Sequence, residues 1–124
     1  MRLRCAIIED LRPDAQALER ALLAASAHSC RLQCTLDASG NEFLRRGALS
    51  EQDVIFLDIC MPGLDGIETA RYLRGEDPRI PIVFVTSSEE YVWDALPLHP
   101  FDYLRKPYDD ARVRKLLDDL LAAL

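Results

Sequence analysis

Val54-Ile55-Phe56-Leu57 is an apolar run of β-branched and aromatic residues that stops at Asp58 and gives way to Pro62-Gly63 and Asp65-Gly66. A run this short with no polar alternation reads as a strand buried on both faces, which is the signature of a parallel sheet covered by helices. The Pro-Gly and Asp-Gly pairs then read as turn chemistry before a helix. Asp58 therefore stands at the carboxyl end of a central strand, where open α/β sheets place their ligand sites. Taken alone, an Asp after a strand is more often a helix cap or a turn former.

The same alternation runs along the whole chain. Leu3–Ile8 reads as a first buried strand ending in Glu9-Asp10, followed by an amphipathic helix of about three turns from Pro13, with Ala15, Leu18, Leu22 and Ala25 on one stripe. Arg31–Leu36 has Leu32, Cys34 and Leu36 on one side and polar residues on the other, which predicts an edge strand. Asn41–Arg46 predicts a short helix stopped by Gly47. After the central strand, Asp65 caps a helix carrying Ile67, Ala70 and Leu73, ended by Gly75. Ile80–Val85 predicts a fourth strand running into Thr86, Glu89–Leu96 a short helix closed by Pro97, and Phe101–Leu104 a fifth strand delivering Arg105, Lys106 and Pro107. Asp109 or Asp110 then caps a last helix with Val113, Leu116, Leu117, Leu120, Leu121 and Leu124 on its apolar stripe.

Strands alternating with helices make an α/β, doubly wound, five-stranded parallel sheet with helices on both faces, and right-handed crossovers leave few topologies. The order 2-1-3-4-5 puts strands 1 and 3 side by side at the switch point. Glu9, Asp10 and Asp58 then share one crevice, with Thr86 and Lys106 arriving from strands 4 and 5. Three close carboxylates repel and call for a cation, and an all-oxygen donor set suits Mg2+. Lys106 adds a point positive charge and Thr86 a hydroxyl, so the crevice is equipped for a phosphoryl group, with Asp58 as a carboxylate nucleophile.

The rest of the composition narrows the function. A net charge of -6 argues against these residues as a nucleic-acid backbone partner, so any DNA contact is expected from another segment. No apolar run approaches a membrane span and no signal peptide stands at the start, which predicts a cytoplasmic protein with no membrane partner. Cys5, Cys30, Cys34 and Cys60 read as reduced thiols rather than a disulfide framework or a zinc site. No Gly-rich loop follows strand 1, which argues against a nucleotide- or flavin-binding domain. An aspartyl-phosphate phosphatase is disfavoured because Cys60 stands where a second Asp would serve as general acid.

Glu9-Asp10, Asp58 with Met61-Pro62-Gly63 and Asp65-Gly66, Thr86, Tyr103 and Lys106-Pro107 together resemble the receiver domain of bacterial two-component response regulators, over Leu3 to about Leu121. The resemblance implies a signalling switch, not an enzyme acting on outside substrates, that takes a phosphoryl group from a sensor histidine kinase onto Asp58. It implies that Asp10, Asp58 and the backbone carbonyl of Cys60 bind Mg2+, with Glu9 helping through water. It implies too that Thr86 and Lys106 engage the phosphoryl oxygens, that Tyr103 turns inward to follow Thr86, and that Lys106-Pro107 is a cis peptide. Phe84–Tyr91 and Phe101–Pro107 are similar to receivers joined to LytTR-type DNA-binding domains. On that likeness residues 1–124 form one receiver domain whose effector lies outside this chain, and the output is transcription or dimerisation on phosphorylation. The alternative is a stand-alone receiver acting by protein-protein interaction. Cys60 and Ser88 occupy positions that tune phosphoryl lifetime in the family.

Overall fold

The computed structural model describes residues 1–124. Its elements follow in strict alternation: β1 (Arg2–Ile8), α1 (Arg12–Ser26), β2 (Arg31–Asp37), α2 (Gly40–Arg46), β3 (Val54–Asp58), α3 (Gly66–Glu76), β4 (Ile82–Thr86), α4 (Val92–Ala95), β5 (Asp102–Arg105) and α5 (Asp110–Ala123). The five strands form one parallel sheet in the order β2-β1-β3-β4-β5, so the predicted topology is the observed one and β2 lies on an edge.

The period of two in the strands divides the core between the sheet's faces. Val54 and Phe56 pack with Cys5, Ile7, Val83 and Val85 under α1 and α5, against Leu18, Leu22, Val113, Leu116, Leu117 and Leu120. Ile55 and Leu57 point the other way, with Ala6, Ile8, Ile82 and Phe84, and meet Phe43, Ile67, Ala70, Leu73 and Ala95 from α2, α3 and α4. Every residue of β3 is buried, as the uninterrupted apolar run required. Burying a side chain of the size of Leu or Phe stabilises by about 1.5–3 kcal/mol, and the two clusters hold the strand ends in fixed register.

Several boundaries differ from the sequence reading, each for a local reason. The helix expected to end at Gly75 continues through Glu76; the stop is Asp77, extended at φ -140° because Pro78 follows, with its Oδ1 accepting the amides of Arg79 and Ile80. β4 starts at Ile82 rather than Ile80, although Ile80 is still buried. β5 likewise begins one residue late, at Asp102. The helix expected over Glu89–Leu96 is α-helical only for four residues, then tightens into a 3-10 turn, Leu96–Leu98, around Pro97. A further 3-10 turn, Leu49–Glu51, precedes β3 and was not legible from periodicity. α2 begins at Gly40, capped by Ser39, and Gly47 closes it at φ 66°, the left-handed position that favours glycine. Trp93 on α4 is 81% exposed.

Candidate functional site

The site forms where β1 and β3 run out side by side. Ile8 lies opposite Leu57 in the parallel ladder, so Glu9 and Asp58 leave adjoining strand ends together. One carboxylate oxygen from each of Glu9, Asp10 and Asp58 lies within 4.8 Å of the others. Glu9 and Asp58 are buried and Asp10 half-buried, and Asp10 Oδ1 is a buried oxygen with no hydrogen-bond partner. Burial, then the adjacent Asp58, pushes the Glu9 carboxyl up to about 7 against the pull of Lys106. Asp10 is also raised, by burial and then by Glu9.

The backbone around Asp58 is set by a glycine. The first residue of α3 packs directly on the end of β3, and a Cβ at Gly66 would stand 2.2 Å from the Asp58 carbonyl oxygen and 2.6 Å from Ile59 Cα. Gly66 N–H donates to the Ile59 carbonyl at 3.0 Å. Asp65 then opens α3 with a reciprocal capping box to Glu68, so the turn predicted from Asp65-Gly66 does two jobs. The Cys60 amide donates to Asp58 Oδ1 at 3.3 Å, which holds the carboxylate against the turn.

Thr86, fully buried at the end of β4, reaches the same mouth. Its Oγ1 accepts from the Ser88 amide at 3.4 Å and lies 3.8 Å from Cys60 Sγ. Tyr103 on β5 is half-buried, its ring centroid 6.4 Å from that of Phe84, and its hydroxyl donates to the Ser88 carbonyl at 2.6 Å. Tyr103 and Thr86 are thus tied to one another through two atoms of Ser88. The Lys106-Pro107 peptide is cis.

Lys106 Nζ also enters the crevice, but its partners are Glu9 Oε1 at 2.5 Å and Asp14 Oδ2 at 2.8 Å rather than Asp58. Burial alone would lower this lysine; the hydrogen bonds it donates to Asp14 and Glu9 outweigh it and hold the ammonium above its ordinary range. Asp14, on the first turn of α1, escaped the sequence reading because a first-turn carboxylate is what any helix N-terminus favours. The residues singled out from sequence, Glu9, Asp10, Asp58, Cys60, Thr86, Tyr103 and Lys106, converge on one end of the sheet, with Cys60 exposed at the mouth.

An all-oxygen acidic pocket beside a lysine and a hydroxyl decides between a solvated face and a built site. The chain matches the family model for the response regulator receiver domain over residues 6–118. It is a response-regulator receiver domain. The receiver is 33% identical to the DNA-binding transcriptional regulator NtrC of Klebsiella pneumoniae, covering 90% of this chain and 23% of that protein. To the sensory transduction protein LytT of Oceanobacillus iheyensis it is 39% identical over 65% of this chain and 34% of the other. The crystal structure of the response regulatory domain of protein mrkE from Klebsiella pneumoniae superimposes with a TM-score of 0.84 at 30% identity, covering 98% of this receiver and 97% of that chain. The receiver spans about a third or less of the length of these two curated relatives. No helix is long and apolar enough to cross a membrane.

The donor set fits a small hard cation. Asp10 Oδ1 has a lone pair without a partner, and Glu9 and Asp10 are both raised, first by burial and then by a neighbouring carboxylate. Oxygen ligands with room for water are what Mg2+ takes.

Proposed function

We propose that this receiver accepts a phosphoryl group from a sensor histidine kinase onto Asp58, with Mg2+ as cofactor, and uses the modification to control an output. The observation that carries this reading is the convergence of three carboxylates, one of them with an orphaned buried oxygen, with Lys106 and Thr86 at the same strand ends. Asp10, Asp58 and the Cys60 carbonyl would hold the metal, with Glu9 acting through water. Bound Mg2+ supplies divalent charge that offsets the repulsion between the acids and the phosphoryl oxygens.

Asp58 is the nucleophile. Its carboxylate oxygen forms the new bond to phosphorus as the bond from phosphorus to the donor nitrogen breaks, and the electron pair leaves with that nitrogen. The Cys60 amide, donating to Asp58 Oδ1, leaves Oδ2 as the reacting oxygen. Thr86 donates its hydroxyl to a phosphoryl oxygen and Lys106 pairs with another. A Thr86 hydroxyl engaged this way withdraws from the Ser88 amide, and the linked Tyr103–Ser88 hydrogen bond carries the change to the face of α4, β5 and α5.

The receiver acts on itself alone, not on an outside substrate. NtrC is a DNA-binding transcriptional regulator, and we read the output here as transcription through a LytTR-type effector outside residues 1–124, with dimerisation on phosphorylation as its means. The test is intact-protein mass spectrometry after exposure to acetyl phosphate. One phosphoryl group should be gained with Mg2+ and none after chelation; a gain that survives Asp58→Ala, or no gain at all, overturns the reading.

A further inference from the structure

Lys106 is shared between carboxylates on two elements, and the two are not alike. Glu9, with a side chain 5% exposed, belongs to the three-carboxylate cluster, whereas Asp14, 40% exposed, reaches Lys106 from α1. Glu9 belongs to the cluster that a cation would draw together, so its charge is spoken for once that cluster is occupied. Asp14 lies outside the cluster and keeps its hold on Lys106. Nothing in the packing of α1 requires the contact: Ala15, Leu18 and Leu22 anchor the helix to the sheet, and Asp14 sits beside that stripe.

We propose that Asp14 is a positioning residue that parks Lys106 away from Asp58 and thereby slows phosphoryl transfer. The inference rests on the phosphoacceptor reading given above. Before Lys106 pairs with an incoming phosphoryl group it must loosen its bond to Asp14, and that competition raises the barrier. An ion pair with one partly exposed partner contributes an amount that corresponds to about a two- to five-fold change in rate.

Asp14→Asn keeps the size and helix-start preference of the residue and removes its charge. The expected result is about a two- to five-fold faster phosphorylation by acetyl phosphate, with the difference shrinking at high salt. In a Lys106→Met background the same Asp14→Asn change is expected to have no effect, because Asp14 acts only through the lysine. An unchanged or slower rate in the single variant, or an acceleration that persists without Lys106, overturns the proposal. A metal-free readout separates this from the phosphoacceptor reading. Heteronuclear NMR of the lysine ammonium groups should show Lys106 protected from solvent exchange in the unmodified receiver and exchanging measurably faster in Asp14→Asn, where Glu9 remains as its one carboxylate partner. If the protein takes no phosphoryl group but this signature holds, the phosphoacceptor reading fails while the parking contact stands. If the signature is the same in both proteins, the parking contact fails.

Discussion

Replacing Asp58 with Asn tests whether the acidic pocket stores repulsion. The three carboxylates offer oxygens within 4.8 Å of one another. At that separation and an effective dielectric of about 20, each fully charged pair repels by about 3.5 kcal/mol. Two features of the site reduce the figure: Glu9, raised to about 7, is partly protonated near neutrality, and Lys106 offsets part of the charge that remains. We expect Asp58→Asn to stabilise the metal-free protein by about 1–2 kcal/mol, and for a domain of this size each kcal/mol raises Tm by about 4 °C. On the proposed metal reading the gain should vanish in excess Mg2+, which is expected to bind the native acids and not the variant.

The pH dependence has a definite sign. Glu9 has a folded pKa above its unfolded value, so its contribution to stability is fully present below about 4.5 and is lost as pH rises towards about 7. Because burial is the larger cause and Asp58 the second, the variant should show a shallower loss over that window, not its abolition. Urea denaturation followed by far-UV circular dichroism is the assay, since Trp93 is 81% exposed and its fluorescence reports little of the core. A variant less stable than the parent in chelator, or a gain that Mg2+ leaves untouched, refutes the reasoning.

Two further outcomes follow from contacts elsewhere. Gly66→Ala forces a methyl against the backbone of Asp58 and Ile59, neither of which is a flexible side chain; we expect a loss of at least about 1–3 kcal/mol in urea denaturation, together with weaker Mg2+ binding by calorimetry. Arg74 donates to four backbone carbonyls, those of Asp77, Ile80, Leu98 and His99, and burial lowers its pKa. Arg74→Ala should cost about 1–3 kcal/mol and raise hydrogen exchange around Leu96–Phe101; unaltered exchange there would show that the clamp is dispensable.

The legible parts of this chain were those written in single-element patterns. Val54–Leu57 could be read as a central strand because both of its faces had to be apolar, and five strands with helices between them left few sheet orders, of which the one chosen, 2-1-3-4-5, is observed. Strand ends were legible too, because polarity changes abruptly at Glu9, Asp58 and Thr86. Punctuation was harder: Gly75 looked like a helix stop, yet a glycine at ordinary helical geometry costs only about 1 kcal/mol, whereas Asp77-Pro78 forbids continuation. α4 was overread because Pro97 and the Ser88 turn set its length, not its composition. Asp14 was missed because its importance lies in a contact 92 residues away along the chain, which no local spacing encodes.

α4 consists of a single α-turn followed by a 3-10 turn, held at its far end by the Arg74 guanidinium and at its near end by Ser88. A single turn cannot sustain itself in water, because it bears the nucleation penalty without the hydrogen bonds that would repay it. The stretch between the two anchors therefore owes its shape to tertiary contacts, with Ala95 in the core and Tyr91 and Leu98 packed against it. A change of about 1.4 kcal/mol in those contacts, the scale of one or two hydrogen bonds at Ser88, alters a conformational ratio tenfold. The exposed Trp93 sits on that stretch, so the shortest helix in the receiver carries the tryptophan at the surface, and its position follows whatever the Ser88 and Arg74 contacts set.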